Sequence, residues 1–430
     1  MKETIVEFFT FTYPNIKYVV FGTMLLSVAS ALVGCFTFLK KKALVGDVVS
    51  HAVLPGICLS FLIAGYKNPL LIIVGAFISG WLSIVFMDYI IRHSKLKEDT
   101  ATGLSLSVFF GIGILLLTYI QHSGNAQQTG LDSFLFGKAA ALIGTDLYAF
   151  SAIALIVLVI VGVFYKEFKL LAFDRQFAES IGMPTQVIEL LLTSITVMAV
   201  VTGIQAVGVV LMAAMLITPA AAAKFWTNRL SLMLVLAAVF SAFSGLAGAF
   251  ISYIRPALPT GPWMVMVLSM IALFSFFFAP NKGIAIKAIR QARIKRQFLE
   301  ENLLKTFYAI KEKEGDFLTP FSREEILRKR AFAPGQLNIG IKRLLRHGFL
   351  KSNGDAWVLT PDGLRKGKRV QRLHRLWELY LTEYLRIAPD HVHEDAESIE
   401  HIITPELELK LETLLENPAR DPHNTIIPPR

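Results

Sequence analysis

The chain begins as a succession of apolar runs, each long enough to cross a bilayer and separated by short polar stretches. Such runs cover roughly 16–39, 69–91, 104–120, 147–165, 186–204, 206–223, 231–254 and 262–280, and a shorter one covers about 52–66. The pattern predicts eight clear spans with the short run as a candidate ninth. After Pro280 the periodicity changes. Residues 281–300 read as a basic linker helix at the membrane surface. From 301 the apolar positions recur at helical spacing: ENLLKTFYAIKEKEG is a first helix, and Ser322 with Glu325 three positions on is a capping box that opens a second. APGQLNIGIKRLLRHG is a third, ending at Gly348, and FLKSNGDAWVLTPDG alternates around Asn353-Gly354 as a hairpin does. Helix, turn, helix and hairpin describe a winged helix. The expected fold is an α-helical polytopic membrane domain over 1–280, the linker 281–300, a winged-helix domain over 301–370 and a small helical domain over 371–430.

Composition agrees with the membrane reading: 54% of the 430 residues are hydrophobic, 18% are charged, and the mean hydropathy is +0.53. Charge adds an orientation. Lys40, Lys41 and Lys42; Arg92, Lys95 and Lys97; Lys166, Lys169 and Arg175; and Lys224 and Arg229 follow alternate spans, so nine crossings put them all on one side with the tail. That predicts an outside N-terminus, a cytoplasmic C-terminal domain, and an outward-facing HSGNAQQTGLDSFLFG stretch. No basic region or small-residue cleavage site marks the first run, which is expected to be a retained span. The tail is split electrically. Residues 281–375 hold 23 Lys+Arg against 9 Asp+Glu, and residues 376–430 hold 4 against 12. A basic block followed by an acidic one suits a nucleic-acid-binding unit joined to a cation-binding unit, and a basic surface near anionic headgroups is the plainer reading. Cys35 and Cys58 both lie in apolar runs and predict neither a disulfide nor a thiolate metal site.

The first candidate chemistry lies in GDVVSHAVLPG, where Asp47 and His51 are one helical turn apart and share a face. Ionisable groups at membrane depth normally face a cavity or pathway, and one carboxylate with one imidazole offers incomplete, reversible coordination to a borderline divalent cation. Pro55 and Gly56 are expected to break or kink that helix and free carbonyls nearby. An interfacial pair just inside the boundary fits the spacing equally well. Asp88, Glu189 and Gln205 read as structural polar residues, and Gly203/Gly208 and Ser244/Gly248 as close-packing positions.

GDVVSHAVLPG, LKEDTATG, LDSFLFG and FDRQFAESIGMPTQ…TGIQAVGVVLMAAMLITPAAAA together resemble the zinc/manganese/iron permease family of bacterial ABC importers, over roughly residues 15–280. The resemblance implies a permease with the fold of the larger metal-chelate importers, in the bacterial cytoplasmic (inner) membrane. Its implied partners are a second permease copy or paralogue, two cytoplasmic ATPases, and an extracellular metal-binding lipoprotein or periplasmic binding protein. By the same resemblance Asp47 and His51 line the metal path. Residues 173–182 match the coupling helix that docks on the ATPase, through Phe173, Asp174, Phe177, Ala178, Ile181 and Gly182. The chain has no GxxxxGK[ST] phosphate loop, so it is not expected to be an enzyme itself; ATP hydrolysis falls to a partner.

In the tail, Glu397, Glu400 and His401 stand at i, i+3 and i+4 with His393 one turn earlier, and His374 and Glu378 form a second i, i+4 pair. Oxygen and nitrogen ligands favour Mn²⁺ or Fe²⁺ and also admit Zn²⁺. HRLWELYL, VHEDAESIEH and DPHNTIIPP resemble, in order, the diphtheria-toxin-repressor and manganese-transport-repressor family over roughly 300–430. That resemblance implies one metal site of His374, Glu378 and His393 and a neighbouring one of Glu397, Glu400 and His401, with Glu397 pointing to the manganese-responsive branch. It also exposes a departure. The family draws acidic or Met ligands from the first helix, where the best register here offers Asn302 and Lys305; a slip of one or two residues brings in Glu300 or Glu301. For operator DNA, the helix 334–347 is the recognition element, with Lys342, Arg343 and Arg346 for phosphates and Gln336 and Asn338 for base edges. A winged helix also serves as a docking or dimerising module.

The leading expectation is the membrane subunit of an ABC importer for divalent metal, manganese first and zinc or iron next, with a fused metal-sensing repressor-like domain and no organic cofactor. The alternative is a membrane-tethered, metal-responsive transcription regulator. An ion-coupled secondary transporter is disfavoured by the coupling motif.

Overall fold

The computed structural model describes residues 2–66, 68–122, 137, 142, 144–255, 258–280, 282–317, 319–330, 332–387, 403–416 and 418–429. The polypeptide divides into two compact units, Met1–Lys287 and Ala288–Arg430.

The first unit is helical. A short α1 (Lys2–Phe9) precedes α2 (Pro14–Leu39), α3 (Val45–Ala64), α4 (Pro69–His93), α5 (Glu98–His122) and α6 (Gly144–Val163). Two short helices, α7 (Tyr165–Phe173) and α8 (Arg175–Ser180), lead into α9 (Thr185–Val207), α10 (Val209–Trp226), α11 (Leu230–Ile254) and α12 (Thr260–Phe278). Among the described residues nine helices are long and apolar enough to cross a membrane. The short run expected over 52–66 is the later part of α3, which begins seven residues earlier and carries Asp47 and His51 within it. The helix also runs on through Pro55 instead of breaking there. The proline still has its expected chemical effect: lacking an N–H, it leaves the His51 carbonyl without a helical donor.

Burial separates inner from outer helices. In α2, α3 and α9, 67% of the apolar window is buried, against 22% in α5 and α6. Val49, Val53 and Ile57 of α3 join Val197, Val200 and Ile204 of α9 and Met212 and Leu216 of α10 in one core. Glycines permit the closest approaches. A Cβ on Gly34 of α2 would overlap the Leu216 carbonyl of α10, and one on Gly56 of α3 would overlap the Gly75 carbonyl of α4. Gly203 and Gly248 are close-packing positions too, against Met212 and Met264. Gly208 does something else: it is the single residue between α9 and α10, at φ 91° and ψ 162°, a conformation essentially reserved for glycine. Cys35 and Cys58 are buried, free thiols.

In the second unit α13 (Ile284–Glu314), which begins just before the boundary, is followed by α14 (Arg323–Lys329) and α15 (Pro334–Arg346). Ser322 and Glu325 form the reciprocal capping box that the sequence predicts for α14. The hairpin pairs β1 (Leu350–Asn353) with β2 (Ala356–Leu359) in antiparallel register, Asn353 opposite Ala356, and Gly354 takes the left-handed conformation at φ 64°. Phe321 adds a bridge to Trp357, giving the small sheet a third edge. Leu303, Phe307, Ile326, Leu337, Leu344 and Leu359 close the winged-helix core. Beyond it lie α16 (Pro361–Glu383) and α17 (Pro405–Leu414), joined by Leu376, Leu379, Leu411 and Leu415.

Candidate functional site

Asp47 sits in the first turn of α3 and His51 one turn on, both half-buried. The His51 ring meets Phe110 of α5 edge-on at 4.9 Å between centroids, and its Nδ1 is buried without a hydrogen-bond partner. A buried imidazole nitrogen without a partner is costly unless something else satisfies it. The His51 carbonyl left free by Pro55 adds an oxygen acceptor on the same helix. Pro219, inside α10, likewise leaves the Met215 carbonyl without a helical donor, and α10 packs on α3 where Gly46 meets Ala213 and Leu216. Asp47, His51 and the two proline-released carbonyls thus lie on two packed inner helices, α3 and α10.

Basic residues of two of the clusters, Lys40 with Lys42 and Arg175, converge on one carboxylate. Lys40, directly after α2, reaches Glu189 Oε1 of α9 at 2.5 Å, and Lys42 reaches the same oxygen at 3.5 Å and Asp88 of α4 at 3.7 Å. Arg175 of α8 donates to Glu189 Oε2 at 3.0 Å and to Glu179 at 2.9 Å. Burial pushes the Lys40 ammonium below its ordinary range, and the Glu189 carboxylate works against that shift. Glu189, read from the sequence as merely structural, is therefore the centre of an ion cluster. The signal was present: it is an acidic residue on the same side as every basic cluster.

Residues 173–182 form an apolar surface on this end. Phe173, Phe177 and Ile181 are all more than half exposed, at 58%, 53% and 57%, while Ala178 is fully buried. Asp174 caps α8 by accepting from the Phe177 N–H at 2.9 Å, and Gly182 leaves the segment at φ 79°. Three large apolar side chains at four-residue spacing are thus held outward as an exposed apolar knob.

In the second unit His374 Nε2 and Glu378 Oε1 lie 3.0 Å apart on α16, both almost completely buried. His393, Glu397, Glu400 and His401 lie outside the described residues, and so does most of LDSFLFG. Among the described residues no group of three or more His, Cys, Asp or Glu side chains could hold a metal ion. His374 and Glu378 fit two positions of a histidine–carboxylate metal site. The first helix fits less well. Lys305 shares a cavity of about 400 Å³ with His374 and Gln371, whereas Glu300 pairs with Arg343 and His347, and Glu301 with Gln297 and Lys366. Lys329 and Arg330 line the same cavity, so three basic side chains share it with His374, where a bound cation would call for carboxylates. Asn302 Oδ1 is buried without a partner. On α15, Gln336, Asn338, Lys342 and Arg346 are exposed, whereas Arg343 is half-buried and its Nε donates to Glu300.

Residues 12–279 match the model of the ABC 3 transport family. The chain belongs to that family. Residues 360–429 of this family member also match the iron dependent repressor, metal binding and dimerisation domain. It is 41% identical to the manganese transport system membrane protein MntC of Bacillus subtilis (strain 168) over 378 residues, 87% of this chain and 86% of that protein. It is 42% identical over 280 residues to the zinc transport system membrane protein TroC of Treponema pallidum (strain Nichols), covering 65% of this chain and 94% of that protein. Among solved structures, PsaBC from Streptococcus pneumoniae in complex with Fab aligns with a TM-score of 0.58 at 33% identity, over 65% of this chain and 97% of the other. The chain is thus a multi-pass membrane protein of a metal-transporting ABC family with a repressor-type metal-binding and dimerisation domain joined to it.

Proposed function

We propose that the chain is the permease subunit of an ATP-driven importer for a divalent metal ion, with manganese as the principal cargo. The observation that carries this reading is the 41% identity to a manganese transport membrane protein, over an alignment long enough to extend beyond the membrane unit. Zinc is the second candidate, supported by the likeness to TroC. The cation enters from an external binding protein, is handed past Asp47 and His51, and is released on the side that carries the basic helix ends and the tail. The apolar knob of Phe173, Phe177 and Ile181 docks on an ATPase subunit, which supplies the hydrolysis. A second copy or paralogue completes the pathway. In liposomes holding this chain, its ATPase and its binding protein, Mn²⁺ is expected to accumulate only with ATP. Zn²⁺ uptake exceeding Mn²⁺ uptake at equal concentrations would reassign the cargo, and uptake without the ATPase would overturn the ABC reading.

The tail is a metal-responsive module on the cytoplasmic side, built from His374, Glu378 and His393 and, beside them, Glu397, Glu400 and His401. Gln336, Asn338, Lys342 and Arg346 are the α15 residues placed to meet DNA. Lys305 lines the cavity that His374 lines and brings a positive charge to the site of His374, Glu378 and His393. Lys305→Glu is therefore expected to raise Mn²⁺ affinity about tenfold or more. Calorimetry on the full chain, with Asp47→Ala and His51→Ala in place to silence the membrane site, checks this; unchanged affinity would remove Lys305 from the site.

A further inference from the structure

The ion cluster at the basic end of the membrane unit ties together segments far apart in sequence. Glu189 uses both carboxylate oxygens: Oε1 takes Lys40 and Lys42, and Oε2 takes Arg175. Asp88 and Glu179 complete it, so three cations face three carboxylates. Glu189 and Lys40 are mostly buried, with side chains 12% and 13% exposed, while Arg175 is 47% exposed. The order along the cluster matters. Arg175 opens α8, the short helix within the 173–182 docking segment, and Glu189 lies near the start of α9. Lys40 and Lys42 lie in the short link from α2 to α3, and α3 carries Asp47 in its first turn.

That link has little slack. Lys41 sits at φ 61°, and the backbone N–H groups of Lys40, Lys41 and Lys42 all bond back to the last turn of α2. A cavity of only about 30 Å³, about one water in size, lies between Lys40, Lys42, Val45 and Glu189. On the other side of Glu189 a cavity of about 210 Å³ is lined by Asp88, Gln186 and Thr193. Glu189 thus lines both cavities, with Ile84 and Thr193, and its carboxylate pairs with both the α8 segment and the α2–α3 link.

Resting on the docking role proposed for residues 173–182, we propose that Glu189 is the positioning residue that couples movement of that segment to the start of α3. A shift of α8 draws on Arg175. Through Glu189 it reaches Lys40 and Lys42, and with them the helix turn that presents Asp47. A contiguous chain of ion pairs centred on a mostly buried carboxylate, with alternative partners close by, is a physical means of coupling two sites.

The test uses the complete importer in liposomes, with ATP hydrolysis and metal uptake read from the same vesicles. Glu189→Gln keeps the shape and removes the charge. It is expected to leave hydrolysis within about twofold while metal moved per ATP falls about tenfold or more, and Glu189→Asp is expected to recover part of that ratio. Arg175→Gln, at a half-exposed position that tolerates change, is expected to lower the same ratio and keeps the test decisive if Glu189→Gln fails to assemble. Hydrolysis and uptake falling in parallel, or an unchanged ratio in both variants, would overturn the proposal. Phe177→Ala separates the two readings. It is expected to lower co-purification of the ATPase, and intact ATPase binding there would refute the docking role while the Glu189 measurements stand on their own.

Discussion

Replacing either Asp47 or His51 by alanine is expected to cut ATP-dependent metal uptake on the order of a hundredfold while the chain still inserts and assembles. The size of the effect follows from how few donors the site has. Asp47 supplies the only side-chain negative charge on α3, and His51 the only imidazole. A divalent ion that has shed water needs both, since carbonyl oxygens alone offer weaker attraction. Assembly is expected to survive because both side chains are half-buried and neither closes the core that Val49, Val53 and Ile57 build on the opposite faces of α3. His51→Ala also removes a ring nitrogen, Nδ1, that has no hydrogen-bond partner among the described residues, so little hydrogen bonding is lost with it. Radiotracer uptake, paired with size-exclusion profiles of the purified complex, separates the two outcomes. Normal uptake in both variants would remove these residues from the cation path and favour the interfacial pairing that their spacing also permits.

The second large effect is on folding. Gly34→Val and Gly56→Val are each expected to destabilise the membrane unit by more than about 3 kcal/mol, above the usual range for an overpacked core. In both cases the obstacle is a backbone carbonyl of a neighbouring helix, that of Leu216 or Gly75, which cannot rotate aside as a side chain can. Relief requires α2 to separate from α10, or α3 from α4. Separating α3 from α4 would displace the helix that carries Asp47 and His51. Gly103→Val is the matched control, since a Cβ at Gly103 of α5 meets nothing within 4 Å. Thermal denaturation in detergent is expected to show large losses for the first two variants and little change for the third. Comparable midpoints for all three would show that the interhelical approach is looser than the geometry states.

Much of this architecture was legible before any coordinates. Apolar runs of bilayer length are a strong signal, and the basic clusters favoured the ninth span, which the structure shows as part of α3. The capping box at Ser322 and the Asn353-Gly354 hairpin were legible because each depends on local chemistry. Which helices lie inside was not legible. A helix that is apolar all round gives no contrast between the face toward lipid and the face toward protein, so α3 and α5 look alike in sequence although one is mostly buried and the other mostly exposed. The pairing of Arg343 with Glu300 was not legible, because Glu300 stands forty-three positions away on another helix. The same distance problem hid the role of Glu189, whose partners come from two other segments. Spacing of one turn made Asp47 and His51 visible as a pair. Nothing in that spacing could report the Phe110 ring against His51.

Gly208 has a consequence for how this protein can change over evolutionary time. Loops are where families absorb insertions and deletions, and between Thr185 and Trp226 there is no loop, only one residue in a backbone shape that side chains disfavour. The stretch that runs from the ion cluster to the close of α10 is therefore fixed in length. Lineages that lengthen or shorten this part of the gene must do so at the turns outside it, and drift at that one codon is closed to nearly every other amino acid.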